Sequence, residues 1–291
     1  MLLAVLDLAR SGQLTENKVF YGPALIERYT KFFTAVRHNN DHPNPYFPFF
    51  HLTGALRGDE STFWHLTPLA GRGAVLEAMS TARSHAEISE TVAYATLDPE
   101  LHALLQDMAN IDALSATLAS HWFDRGLQDL STVADQSASI SRYERKLREG
   151  IETKGVRDIT PPQYVRDPAF RRVVTAAYDY RCAATGVRIL LQSGESMVEA
   201  AHLHPFSISA DDDPRNGLAL SPDMHWAMDQ NLIAPGPDHR WHVSKILDRR
   251  IPDFQALCKL DGQKLLPPVE ARLMPKRESL EWRLDRLRRL D

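Results

Sequence analysis

Apolar residues fall into helical register at the start of the chain. Leu2, Leu3, Val5, Leu6 and Leu8 cover most of the surface of a helix over residues 2–10, and Ser11-Gly12 ends it. A second helix over 25–36 carries Leu25, Ile26, Tyr29, Phe32, Phe33 and Val36 on one side. Residues 38–52, HNNDHPNPYFPFFHL, then turn from polar to aromatic. Pro43, Pro45 and Pro48 each lack an N–H and restrict the residue before them, which predicts an extended loop running into a short strand. Residues 63–66, Phe-Trp-His-Leu, read as the partner strand. From 74 to 124 the pattern is helical again, with Pro99 opening a helix after Asp98.

Residues 126–160 are polar, with a Ser-rich patch and a charged helix over 142–149, before Thr160-Pro161-Pro162 punctuates the chain. A helix is predicted over 169–180. Cys182-Ala-Ala-Thr-Gly186 reads as a tight turn between it and a strand over 187–191. After Ser193-Gly194 a second strand covers 197–202. An irregular stretch with Asp211, Asp212 and Asp213 follows, then Pro214-Arg215-Asn216-Gly217 and a short apolar run over 218–220. Pro222 opens a helix in which His225 and Asp229 stand four apart, on one face.

Composition adds limits. The chain of 291 residues is long enough for two domains. No apolar run reaches the roughly 18 residues of a membrane span. The opening MLLAVLDLARSG reads as a core helix and not as a secretory leader, so the expected location is the cytoplasm. Two cysteines, Cys182 and Cys258, are too few for a four-cysteine zinc site and read as small buried hydrophobes. Residues 1–150 hold 13 Lys+Arg against 18 Asp+Glu, and 151–291 hold 21 against 20. Neither half has the basic surface of an indiscriminate nucleic-acid binder. Clusters at Arg142, Arg145, Lys146 and Arg148, at Arg166, Arg171 and Arg172, and at Arg283, Arg286, Arg288 and Arg289 read as solvated helix faces that could touch phosphates.

The chemistry-bearing residues lie in order along the second half. His202 ends a strand, Asn216 follows 14 residues later in a loop, and His225 comes 9 further on at a helix start. Phosphodiester hydrolysis needs a base to activate water and a cation for the scissile phosphate. A neutral imidazole is a competent base near neutral pH. An Asn side chain can orient that ring or pin a loop through its backbone. His225 and Asp229 can share one divalent cation. His204 is a second candidate for the base, whereas His239 and His242 fall among Pro and Gly and read as surface residues.

The string EAAHLHPFS…DDPRNGLALSPDMHWAMDQNLI, with the Cys-Ala-Ala-Thr-Gly turn before it, resembles the HNH (ββα-metal) nuclease motif over about residues 165–235. The resemblance implies that His202 is the general base, Asn216 the structural Asn and His225 a metal ligand. Many family members place a second ligand immediately before the base, and here that position is Ala201. Asp229 on the helix or Glu199 on the strand is then expected to complete the metal site, with Asp229 preferred.

In the first half, LLAVLDLARSGQL, NPYFPFFHL and FWHL are similar to the DNA sulfur-binding domain of modification-dependent HNH restriction enzymes. That similarity implies an apolar cup around a phosphorothioate sulfur, formed by Phe47 and Pro48 with Tyr46 and His51 nearby. Sulfur is larger and less strongly hydrated than a phosphate oxygen, so an apolar cup can prefer it. Phosphate-facing groups are less defined; Arg37, His38 and Arg72 are candidates.

The sequence thus leads to an α+β protein. Residues 1–140 form a mostly helical recognition domain with a small sheet, 141–164 a linker, and 165–291 a ββα-metal nuclease domain. The expected activity is modification-dependent cleavage of double-stranded, phosphorothioated DNA. Mg²⁺ or Mn²⁺ suits the oxygen-rich site, and Zn²⁺ or Ni²⁺ a His–carboxylate pair. One site per chain suggests a homodimer or sequential nicking. Two rivals stand beside this reading: an HNH nuclease that reads sequence or a methylated base, and a non-catalytic DNA-binding regulator with a degenerate HNH fold.

Overall fold

The structure, a computed structural model, describes residues 1–38, 40–54, 62–122, 127–150 and 161–289. It divides into two compact units: Met1–Arg145 with Leu191–Glu195, and Lys146–Leu190 with Ser196–Asp291.

The first unit is mostly helical. Its elements are α1 (Leu2–Arg10), α2 (Pro23–Val36), α3 (Tyr46–His51), β1 (Trp64–Pro68), α4 (Gly73–Ala78), α5 (His85–Thr91), β2 (Val92–Leu97), α6 (Pro99–Leu104), α7 (Met108–Trp122) and α8 (Leu127–Gly150). As the all-round apolar pattern of α1 requires, Leu3, Val5, Leu6 and Leu8 are buried, together with Leu25, Phe32, Phe49 and Trp64. Buried charge also runs through this core. Asp7 receives Arg28 Nε at 3.0 Å, and Arg28 Nη2 reaches Glu144 Oε2 at 2.6 Å, so one guanidinium joins α1, α2 and α8.

Two expectations fail here. Residues 46–51 are the helix α3, not an extended loop entering a strand. Pro45 sits at the N-cap and Pro48 in the first turn, where a missing N–H removes no helical bond, so these prolines are compatible with a helix start. Consequently β1 pairs elsewhere. Its antiparallel partner is β2, with Trp64 opposite Leu97, inside the stretch expected to be helical throughout. Val92, Ala95 and Leu97 of β2 are buried in this pairing.

The second unit contains α9 (Gln163–Ala177), β3 (Glu199–His202), α10 (Phe206–Ser209), a 3₁₀ turn (Pro214–Asn216), β4 (Gly217–Leu220), α11 (Pro222–Asp229), β5 (Ile233–Pro235), β6 (Trp241–Val243), α12 (Gln255–Cys258) and α13 (Arg277–Arg288). β3 and β4 form an antiparallel pair in which Glu199 faces Leu220 and His202 faces Gly217. A Cβ at Gly217 would lie 2.7 Å from both Phe170 Cζ and Val174 Cγ2, so only glycine lets β4 lie this close to α9. Gly186, at φ +73°, closes the Cys182 turn with its N–H on the Cys182 carbonyl at 2.8 Å.

Three further readings need correction. Residues 187–191 form no strand; a single bridge joins Leu190 and Ser196. α9 begins six residues before the predicted start and runs through Pro168. The carbonyl that Pro168 leaves without a helical donor belongs to Tyr164, an exposed first-turn residue that solvent can serve. Finally Cys258 is only partly buried, unlike Cys182. Among the described residues no helix is long and apolar enough to cross a membrane.

Candidate active site

β3, β4 and α11 present the residues singled out by spacing. Asn216 is fully buried at the end of the 3₁₀ turn. Its Nδ2 donates to the carbonyls of His204 and Asp211, each at 2.9 Å, and its Oδ1 accepts the His204 N–H at 2.9 Å. All three bonds close the loop between β3 and β4, which is the loop-pinning use of an asparagine.

Of the acids Asp211, Asp212 and Asp213, the outer two share a partner and the middle one does not. Lys276 Nζ meets Asp211 at 2.8 Å and Asp213 at 3.0 Å. Asp213 also accepts the Arg215 N–H at 2.9 Å and its Nη2 at 2.7 Å, capping the 3₁₀ turn. Asp212 turns the other way. Its Oδ1 lies 2.9 Å from His202 Nε2, and Arg166 Nη1 donates to both its oxygens at 3.2 and 3.3 Å.

His202 is therefore enclosed on several sides. Phe170 of α9 stacks on its ring at 3.9 Å and 5°, and Phe206 stands edge-on at 6.3 Å. The Arg166 guanidinium lies over the Phe206 ring at 3.5 Å. The His202 side chain keeps 19% exposure against 3% for Asp212. Among the described residues nothing bonds its Nδ1.

His204, the alternative base, is placed differently. Its ring stacks on Trp282 at 4.3 Å and its Nε2 is enclosed without a partner. Burial, then the neighbouring Arg283, push its pKa below the ordinary value. With Nε2 enclosed and one face covered by Trp282, this imidazole is less available to a water than that of His202.

On α11, Pro222 at the first position and Asp223 in the first turn explain the helix start. His225 Nδ1 lies 2.7 Å from Glu199 Oε2, and its Nε2 lies 3.4 Å from Asp229 Oδ2. A carboxylate only accepts, so Nδ1 carries a proton toward Glu199, while Nε2 faces Asp229. Ala201 is buried and offers no donor. Among the described residues no three His, Cys, Asp or Glu side chains are arranged to hold one ion. On α11 the available donor pair is His225 Nε2 and Asp229, with Glu199 behind the ring.

Arg283 of α13 links the two parts. It donates from Nη2 to the His202 carbonyl at 2.8 Å, from Nε to Leu203 at 2.7 Å and from Nη1 to Met228 at 3.3 Å. Nη1 also lies 3.6 Å from Asp229 Oδ1. The end of β3 and the end of α11 are thus held on one guanidinium. The bland reading of its cluster is wrong for Arg283, as it is for Arg166 and Arg172: all three are buried. No spacing signal marked Arg166 or Arg283 as partners, because their contacts join residues between 46 and 81 positions apart, and Asp212, only 10 residues from His202, is one of three consecutive acids.

In the first unit, Tyr46, Phe47, Pro48 and His51 all belong to α3. Phe47 and His51, four apart, have ring centroids 4.3 Å from each other, and Phe47 is 44% exposed. His51 Nε2 meets Thr81 Oγ1 at 2.9 Å, its Nδ1 is enclosed without a partner, and burial lowers its pKa. Tyr46 departs from this group. It packs on the core and meets the His85 ring edge-on at 5.3 Å.

No curated protein matches the chain. One solved structure that it resembles is titled "Modification dependent TagI restriction endonuclease", at 19% identity over 42% of this chain. The TM-score is 0.31, and the match spans 38% of that structure's chain. Residues 182–234 match the family described as HNH endonuclease, a segment that holds β3, β4, α11, His202, Asn216 and His225 but neither α9 nor α13. The C-terminal part of this chain carries an HNH endonuclease domain.

Proposed function

We propose that this chain is a divalent-metal-dependent endonuclease that hydrolyses DNA phosphodiesters with His202 as general base. The observation that carries the reading is the buried Asn216 staple. It closes the loop so that His202 ends β3 while His225 hangs from α11 on the same hairpin-and-helix scaffold. In this reading residues 165–291 are the nuclease, 141–164 the linker and 1–140 the recognition domain.

The donor chemistry fits a hard divalent cation such as Mg²⁺ or Mn²⁺, which accepts few protein ligands and retains water and phosphate oxygens. His225 Nε2 and Asp229 would hold it, and Glu199 would hold the far side of the imidazole, as carboxylates behind ligating histidines do. When bound, the cation supplies charge stabilisation at the scissile phosphate and the leaving oxygen. His202 removes a proton from the attacking water. Asn216 and Arg283 keep that ring and α11 in register.

We assign substrate choice to α3, as a site for the sulfur of a phosphorothioate. Phe47, Pro48 and His51 supply an apolar, uncharged surface there, while Tyr46 supports it from the core side. A double-stranded substrate requires two cuts, from a homodimer or from successive nicks.

Plasmid cleavage in Mg²⁺, Mn²⁺ and Ni²⁺, with His202→Ala as control, tests the nuclease. Cleavage that needs a metal and His202 supports it, and silence in every metal would favour a DNA-binding regulator. Binding of two duplexes that differ in one sulfur tests α3. Equal affinities would remove the sulfur, and preference for the modified duplex that Phe47→Ala abolishes would place it on α3.

A further inference from the structure

The geometry points to Asp212 as the positioning residue of the base: it fixes the proton of neutral His202 on Nε2, so that Nδ1 is the atom that deprotonates water. This inference rests on the reading of His202 as general base. The ring nitrogen at 2.9 Å from a carboxylate must be the donor, because the carboxylate has no proton to give. Neutral imidazole has one N–H, so its lone pair is then at Nδ1.

The surroundings hold that arrangement. Phe170, flat against the ring at 3.9 Å, prevents rotation out of plane, and Phe206 closes another side. Arg166 bonds both Asp212 oxygens and balances a charge that is nearly inaccessible to water. Arg166 and Phe170 come from α9, which lies before residue 182, where the family match begins. The logic is that of the aspartate in a Ser–His–Asp triad, which selects the tautomer and stabilises the imidazolium without taking the proton.

The chemical step balances with these atoms. Nδ1 takes a proton from water as its oxygen bonds to phosphorus. The P–O3′ bond breaks, and its electron pair leaves on the 3′ oxygen, which solvent protonates. His202 becomes an imidazolium whose Nε2–H still rests on Asp212. Solvent then removes the Nδ1 proton.

The test uses the full chain with ¹⁵N-labelled histidine rings, no added metal, and a pH above the imidazole range. The ring signals that vanish in His202→Ala identify His202. We expect a protonated Nε2 with a downfield proton and an unprotonated Nδ1. Asp212→Asn should remove that downfield proton and lower kcat for plasmid cleavage roughly 10²- to 10⁴-fold, with KM little changed. A proton on Nδ1 in the unaltered protein overturns the inference whatever the variant does. So does a folded Asp212→Asn protein with kcat within about twofold of the original. If His202→Ala cleaves normally, the base assignment itself falls. If His202→Ala is inactive and Asp212→Asn is active, only the role of Asp212 falls.

Discussion

Glu199 and His225 meet at 2.7 Å between the first residue of β3 and the middle of α11. The carboxylate occupies Nδ1 and leaves Nε2 for Asp229, so the two acids flanking this ring are not equivalent. Asp229→Ala should abolish Mn²⁺ binding. Glu199→Gln should weaken it roughly ten- to hundredfold, the usual effect of removing a carboxylate behind a ligating histidine. Titration followed by electron paramagnetic resonance reads both. Equal loss in the two variants would make Glu199 a direct ligand.

Arg283 satisfies three main-chain carbonyls with one buried side chain. Arg283→Met leaves them without that donor and should lower unfolding stability by about 2–4 kcal/mol. Urea denaturation measures it. Arg283→Lys should recover only part, since one ammonium cannot span the ends of both β3 and α11.

Arg28 stands between two fully buried acids, Asp7 and Glu144. Removing that cation takes a close counter-charge from both carboxylates at once, although Asp7 keeps Arg10 Nη1 at 3.3 Å and Glu144 keeps Gln13 Nε2 at 2.8 Å. Arg28→Met should therefore destabilise the first unit by about 3–5 kcal/mol. A loss below about 1 kcal/mol, read by denaturation, would mean that water reaches this pair.

Lys276 couples stability to pH at both extremes. Burial raises the Asp213 carboxyl, but the donors of Arg215 and the Lys276 ammonium outweigh it and hold its pKa below the ordinary value. That stabilisation is present above the unfolded-state pKa and is lost as pH falls through the lower folded one, below about 4. Burial lowers Lys276, but Asp211 and Asp213 outweigh it and raise its pKa. Its contribution is full below the unfolded-state value and disappears as pH rises through the higher folded one, above about 10.5. Denaturation across pH should show Lys276→Met flattening both limbs. A variant with an unchanged profile would refute this coupling.

Much of the architecture was legible where one rule acts alone. α1 and α2 show in their apolar period, and His202, Asn216 and His225 in a spacing confined to one short stretch. The failures occur where two rules compete. Prolines at 45 and 48 suggest extension, yet their place in a first turn allows α3. β2 is six residues long and directly follows α5, so a helical window absorbs it. Arg166 and Arg283 look like surface charge because composition does not reveal a partner on another element. Asp212 is indistinguishable in sequence from its two acidic neighbours. Their different partners come from the path of the loop, with no chemical difference to read.

Asn216 grips only main-chain atoms, at His204 and Asp211, so the staple is blind to the side chains it spans. Ser207 and the exposed Ile208 lie inside that span. Mutational drift there could retune what the protein meets beside its imidazole and leave the ring where it is. Rapid divergence of preference and a fixed chemistry would then coexist in a single short loop.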